Sequence, residues 1–319
     1  MLSHLYSRYM ANNFQPLFVG GSGRSGTTIT INLLNNHSQI HSSLPREIKY
    51  LTSRFGLIDL VYGRPIGLEE GLEGIRNNLI ARVLPIVGKS KMSLFQKSMQ
   101  GQWWSEVGKK GKPRGLVQGI TKQTLDDAQQ VFIERVKSQP VDAARSLFYQ
   151  LSSAQVKSPG IKYFADSTPV NMMQANYLYR LFPEARFLNM VRDGRDVAFS
   201  VATEKWGPND PFKALDWWAN RVLVAEQALN DIPQNQKVTL RLEDLVVRER
   251  ENTLIRILDF LGVSPEEKLI DFFDLELTKE KLNQGQWQNK LANPAKFENK
   301  YLKILDELED QGVVVERFY

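Results

Sequence analysis

Cysteine is absent from the 319 residues, which excludes a disulfide framework and any thiolate metal site, and fits a reducing compartment. Histidine occurs only at His4, His37 and His41. Three, all near the start, exclude a histidine-rich metal centre. No apolar run approaches membrane-spanning length. The opening residues, Met1–Arg8, lack the apolar core of a signal peptide, so the cytoplasm is the expected location. A strong charge of one sign is also missing. Lys and Arg number 41 against 36 Asp and Glu, a net +5. That excess suits anionic small molecules and is too small to argue for nucleic acid. Neither repeats nor low-complexity tracts interrupt the chain.

What is present begins with Pro16–Ile29, Pro-Leu-Phe-Val-Gly-Gly-Ser-Gly-Arg-Ser-Gly-Thr-Thr-Ile. It reads as an apolar strand, a glycine-rich turn and the first turn of a helix. Glycines at 20, 21, 23 and 26 permit a sharp turn and close approach of a ligand to the backbone. A helix starting near Thr27 directs its unpaired N–H groups and positive dipole end at the loop. The spacing Gly21-x-x-x-x-Gly26-Thr27-Thr28 matches a nucleotide phosphate loop, except that Thr27 replaces the lysine. Arg24 brings the positive charge instead.

The run Gly-Arg-Ser-Gly-Thr-Thr resembles the 5′-phosphosulfate loop of sulfotransferases that use 3′-phosphoadenosine 5′-phosphosulfate (PAPS). Ala185–Ser200, which holds Val-Arg-Asp-Gly-Arg-Asp-Val-Ala-Phe-Ser, resembles that family's 3′-phosphate segment. The resemblance implies that Gly23, Arg24, Ser25, Gly26, Thr27 and Thr28 hold the 5′ end. Arg192 and Ser200 then hold the 3′-phosphate, the first through a guanidinium fork and the second through a hydroxyl. Arg46–Leu51 resembles the glutamate-bearing segment of heparan sulfotransferases. This makes Glu47 the general base, Arg24 the group stabilising developing charge, and Lys49 a supporting cation. His41 is the reserve base. Asp166-Ser167-Thr168-Pro169 resembles a family segment in which a lysine occupies the position of Ser167, and Trp206-Gly207-Pro208 is a further family signpost. Gly285-Gln286-Trp287-Gln288-Asn289 sits where relatives often carry arginines. No metal is implied, since arginine and backbone donors replace magnesium.

Strand-like segments at 161–165, 186–191 and 238–241 alternate with helical patterns at 171–181, 211–229 and 251–261. They predict an α/β, P-loop-like three-layer fold with a central parallel sheet. One domain spans 1–319, with an acceptor-side helical insertion at about 62–158 that includes helices at 69–87, 124–136 and 142–156. Within it, Gly88–Gly119 carries seven basic residues, one acid, Trp103 and Trp104. It reads either as a solvated loop with packing tryptophans or as a lid favouring an anionic or saccharide acceptor. The expected function is sulfuryl transfer from PAPS to a hydroxyl or amine of a saccharide or other small molecule, leaving 3′-phosphoadenosine 5′-phosphate (PAP). A small-molecule P-loop kinase and a non-catalytic nucleotide-binding module remain as alternatives.

Overall fold

The computed structural model describes residues 14–63, 90–108, 111–313 and 315. The expected helix at 69–87 and Lys89, Lys109 and Lys110 lie outside them. The chain separates into two compact units. The first takes the described residues of Met1–Phe18, Ser38–Thr168 and Tyr177–Arg186; the second takes those of Val19–His37, Pro169–Asn176 and Phe187–Tyr319. Strand β1 (Gln15–Gly21) runs through the boundary, and helix α1 (Thr27–Leu34) follows it.

In the first unit the strand order is β2 (Ile40–Ser42), β5 (Tyr163–Asp166), β1. Both pairings are parallel, with Leu17 and Ser42 each opposite Ala165. Leu17, Tyr163 and Ala165 are fully buried, as expected of strands covered on both faces. After the single helical turn α2 (Lys49–Thr52) and a further short helix, Leu57–Tyr62, come α3 (Lys91–Gln100) and a small antiparallel hairpin, β3 (Glu106–Val107) with β4 (Pro113–Arg114). Helices α4 (Lys122–Arg135) and α5 (Pro140–Ser153) follow. Pro140 and Asp142 in the first turn of α5 fit the helix start, where one N–H is spare and the dipole favours an acid. Phe148 of α5 packs its ring 4.7 Å from Phe182 and 5.9 Å from Phe164.

In the second unit the order is β1, β6 (Arg186–Val191), β7 (Lys237–Arg241), with β6 and β7 parallel. Helix α6 (Gly194–Val201) packs with α7 (Pro211–Asn230), α8 (Gln286–Lys290) and α9 (Pro294–Asp310) around Val197, Leu215, Trp218, Trp287, Phe297 and Tyr301. The segment expected as helix over 171–181 opens as a tight 3₁₀ turn, Pro169–Gln174, before the α-helix Ala175–Leu181.

The turn from β6 into α6 is fixed by buried charge. Asp193 caps α6 by accepting from the Arg195 amide at 2.8 Å, and pairs with the Arg195 guanidinium at 2.7 Å. The Asp193 amide donates to Glu243 at 3.0 Å. Burial pushes the Glu243 carboxyl up to about 7, while two backbone hydrogen bonds and Arg192 oppose the rise.

Two measurements check this packing. A Cβ at Gly194 would stand 2.6 Å from the Trp218 ring, so Gly194→Ala should cost about 1–3 kcal/mol by overpacking, read by urea unfolding. Glu243 sets a pH dependence. Its folded pKa lies above the unfolded value of about 4.3, so between the two the folded state holds the extra proton and stability falls as pH rises. The melting temperature of the parent should therefore drop relative to Glu243→Gln between pH 5 and pH 8. A pH-independent difference would exclude it.

Candidate nucleotide and acceptor sites

Strand β1 delivers the loop from its carboxyl end. A Cβ on Gly21 would lie 2.2 Å from the Met190 carbonyl, so only glycine fits beside β6. Gly26 has φ 92°, and a Cβ there would meet Leu242 at 2.6 Å. Gly23 (φ 90°) and Arg24 (φ 57°) are both left-handed. A non-glycine residue in that region is uncommon and concentrates at functional sites. Here it bends the backbone into a concavity of the kind that gathers amides toward an anion. Helix α1 opens without a side-chain cap or an acid in its first turn, leaving its N-terminal field uncompensated locally.

The residues expected to hold the nucleotide converge within the second unit. Arg24 Nε donates to Ser200 Oγ at 2.8 Å, across 176 positions of sequence. Arg192 Nη1 donates to the Arg24 carbonyl at 3.2 Å, and Nη2 to the Asn283 carbonyl. Half of the Arg24 side chain is exposed, and its Nη1 lies 3.6 Å from Glu204. Thr28 is exposed; Thr27 is buried. Ser25 is fully buried with Oγ turned beneath Gly21, so its hydroxyl packs under the loop. Buried Arg192 Nε has no hydrogen-bond partner among the described residues. Two guanidinium groups, an uncapped helix start and a left-handed turn form a donor set that fits a group phosphorylated at two positions.

Trp206 is 55% exposed, and its ring lies 5.9 Å from that of Trp217. Both rings border Gly23. Arg221, one helical turn beyond Trp217, stacks on it at 4.1 Å and donates to the Ser22 carbonyl at 3.2 Å. Sequence reading missed Arg221, Trp217 and Asn283. The i,i+4 spacing of Trp217 and Arg221 was the available signal for the first two.

Glu47, Lys49 and Ser167 belong to the first unit and form a second cluster. Asp166 Oδ1 accepts from the Ile48 amide at 3.0 Å and the Thr168 hydroxyl at 2.7 Å. The Ser167 amide and hydroxyl both donate to the Arg46 carbonyl, at 2.9 and 3.1 Å. Ser167 therefore clamps the backbone carrying Glu47. Lys49 pairs with Glu106 at 2.8 Å. Surrounding protein and then Asp166 raise the Glu47 pKa, Glu106 adds to the rise, and Lys49 and Arg114 oppose it. The residue keeps an exposed face, so solvent moderates the effect. The ring of His41 lies 5.7 Å from Phe164, and burial lowers its pKa. His37 Nε2 stands 2.8 Å from the Ser264 carbonyl. Trp103 is buried against Phe95 at 5.9 Å, a packing role. Among the described residues no helix is long and apolar enough to cross a membrane.

Comparison with known proteins bears on the family of the chain. Protein-tyrosine sulfotransferase 2 of Gallus gallus is 25% identical over 278 residues, 86% of this chain and 57% of that protein. Protein-tyrosine sulfotransferase 1 of Rattus norvegicus is 26% identical over 60% of this chain and 35% of its own length. The chain thus spans about half or less of these relatives. The sulfotransferase domain of the Synechococcus PCC 7002 olefin synthase covers 96% of this chain and 98% of its own, at 16% identity and a TM-score of 0.48. The model of the sulfotransferase family matches residues 86–267, more than half of the chain and inclusive of the Arg192–Ser200 segment. The chain belongs to the sulfotransferase family.

Proposed function

We propose that this protein transfers a sulfuryl group from PAPS to a hydroxyl or amine acceptor. The observation that carries the reading is the junction of Arg24, Arg192 and Ser200, residues far apart in sequence that meet around one left-handed loop. A nucleotide with a 5′-phosphosulfate and a 3′-phosphate supplies two anions for these two arginines. When bound, PAPS supplies the sulfuryl group, and PAP is what remains.

The chain's own residues then have separate tasks. The loop amides and the α1 N-terminus orient the 5′ end. Arg24 offsets charge developing on the transferring group, and Arg192 with Ser200 holds the 3′-phosphate. Glu47 takes the acceptor proton at its carboxylate. Its raised pKa brings it nearer the operating pH, where a base is most effective. Lys49 supports the acceptor or the sulfuryl oxygens. Saccharides and tyrosyl peptides are the acceptors to compare: the first follow from the heparan-like segment around Glu47, the second from the names of the matched relatives.

The direct test is ³⁵S transfer from PAPS to a panel of both acceptor classes; nucleotide binding with no transfer to any acceptor would favour the non-catalytic alternative. Two variants test the assignments. Arg192→Ala should lower PAP affinity about tenfold or more while leaving ADP binding nearly unchanged, since a charged hydrogen bond contributes roughly 1.5–3 kcal/mol. Calorimetry reads this, and equal PAP and ADP affinity in the parent would refute the 3′-phosphate assignment. Glu47→Gln should preserve fold and PAP affinity and reduce turnover by about 10²–10⁴. Full activity in that variant, with loss in His41→Ala, would move the base to His41.

A further inference from the structure

The loop after the helix Glu267–Glu276 carries no cationic side chain from Leu282 to Asn289. It is nonetheless fastened to the end of β6. Arg192 Nη2 donates to the Asn283 carbonyl, and the Gly285 amide donates to Asp196 Oδ1 at 2.8 Å. Asp196 is only 4% exposed, and its second oxygen lies 3.7 Å from Arg192 Nη2 with no hydrogen-bond partner among the described residues. Gly285 is left-handed (φ 69°, ψ 8°) and starts α8, whose Trp287 is buried with the Arg195 guanidinium 4.9 Å from its ring.

We propose that Asp196 is a positioning residue of the 3′-phosphate subsite, holding the Asn283–Gly285 turn against Arg192 so that turn and arginine present one fixed surface to the phosphate. The inference rests on the nucleotide reading above. A turn without cationic side chains meets an anion only through backbone and amide groups, and these depend on being held in place. A buried carboxylate is costly to maintain. Asp196 nevertheless spends one oxygen on the turn and directs the other at Arg192, linking the two. Burial pushes its carboxyl up to about 6, with Arg192 as the main opposing influence. Asp193 and Arg195 are the other charged groups facing it.

The test is calorimetric binding of PAP and of AMP, which lacks the 3′-phosphate, to the full chain. In the parent, PAP must bind more tightly than AMP; if it does not, the nucleotide reading itself fails. Asp196→Ala should weaken PAP about tenfold and AMP less than about twofold, the loss of one charged contact set. Asp196→Asn, which keeps an acceptor for the Gly285 amide, should recover most of the preference. A parent-like PAP-to-AMP ratio in Asp196→Ala overturns the proposal, and so does equal loss in Asp196→Asn. A merely structural role would weaken both nucleotides together. Should Asp196→Ala fail to fold, hydrogen exchange in the parent decides. PAP but not AMP must then slow exchange across 283–287, and equal protection by both overturns the proposal.

Discussion

The hydrogen bond from Arg192 to the backbone carbonyl of Arg24 is the contact on which the shape of the glycine-rich loop depends. Arg24 holds a left-handed conformation that a side chain makes unfavourable, and such a conformation persists only where its surroundings over-determine it. Arg192 supplies part of that determination from the end of β6, and Arg221 adds a bond to the neighbouring Ser22 carbonyl. The loop is thus shaped by arginines that approach it through its own carbonyls. Its amides are left for an anion. Because β1 and β6 are neighbours in strand order, their carboxyl ends bring two loops together, the position at which parallel sheets bind ligands.

That arrangement gathers several charges into little solvent. Asp193, Asp196, Glu243, Arg192 and Arg195 are all buried. Isolated, each would be costly; paired and hydrogen-bonded, they are tolerated but contribute little net stability. Their value lies in geometry. Asp193 fixes the start of α6, and Glu243 fixes the Asp193 amide. Arg195 continues outward to Glu298 and lies over Trp287 and Tyr301. Burial raises the carboxyls of Asp196 and Glu243 against the opposing pull of Arg192. A network selected for stability alone would replace such groups with apolar ones.

Much of this was legible in the sequence, for identifiable reasons. Gly21 and Gly26 announced the loop because a side chain at either meets a neighbour below 3 Å. Arg192 and Ser200 were legible through the resemblance of Ala185–Ser200 to the family's 3′-phosphate segment. Helix α7 was placed within one residue because Asp210 and Pro211 mark its start. Contacts made only by tertiary packing were hidden. Nothing in the sequence says that Ser25 turns its hydroxyl under Gly21, that Ser167 bonds the Arg46 carbonyl, or that Glu243 reaches Asp193. The turn around Gly285 lacks the arginines relatives often carry there, and nothing in the sequence says that its backbone groups bond Arg192 and Asp196.

The Glu47 cluster follows a different logic. Its charges nearly balance: Asp166 and Glu106 against Lys49 and Arg114. The surrounding protein therefore sets the direction in which the Glu47 carboxyl shifts, upward, while its exposure to solvent keeps the effect moderate. Lys49 is held by Glu106, but both side chains are more than a third exposed. Exposed pairs of this kind contribute about 0–1 kcal/mol, so an anionic oxygen near Lys49 can compete for it at small cost. Releasing Lys49 from Glu106 would free its charge and leave the Asp166–Ser167 clamp on the backbone intact. The cluster thus combines a rigid part, which holds the carboxylate in place, with a yielding ion pair that can exchange one anion for another.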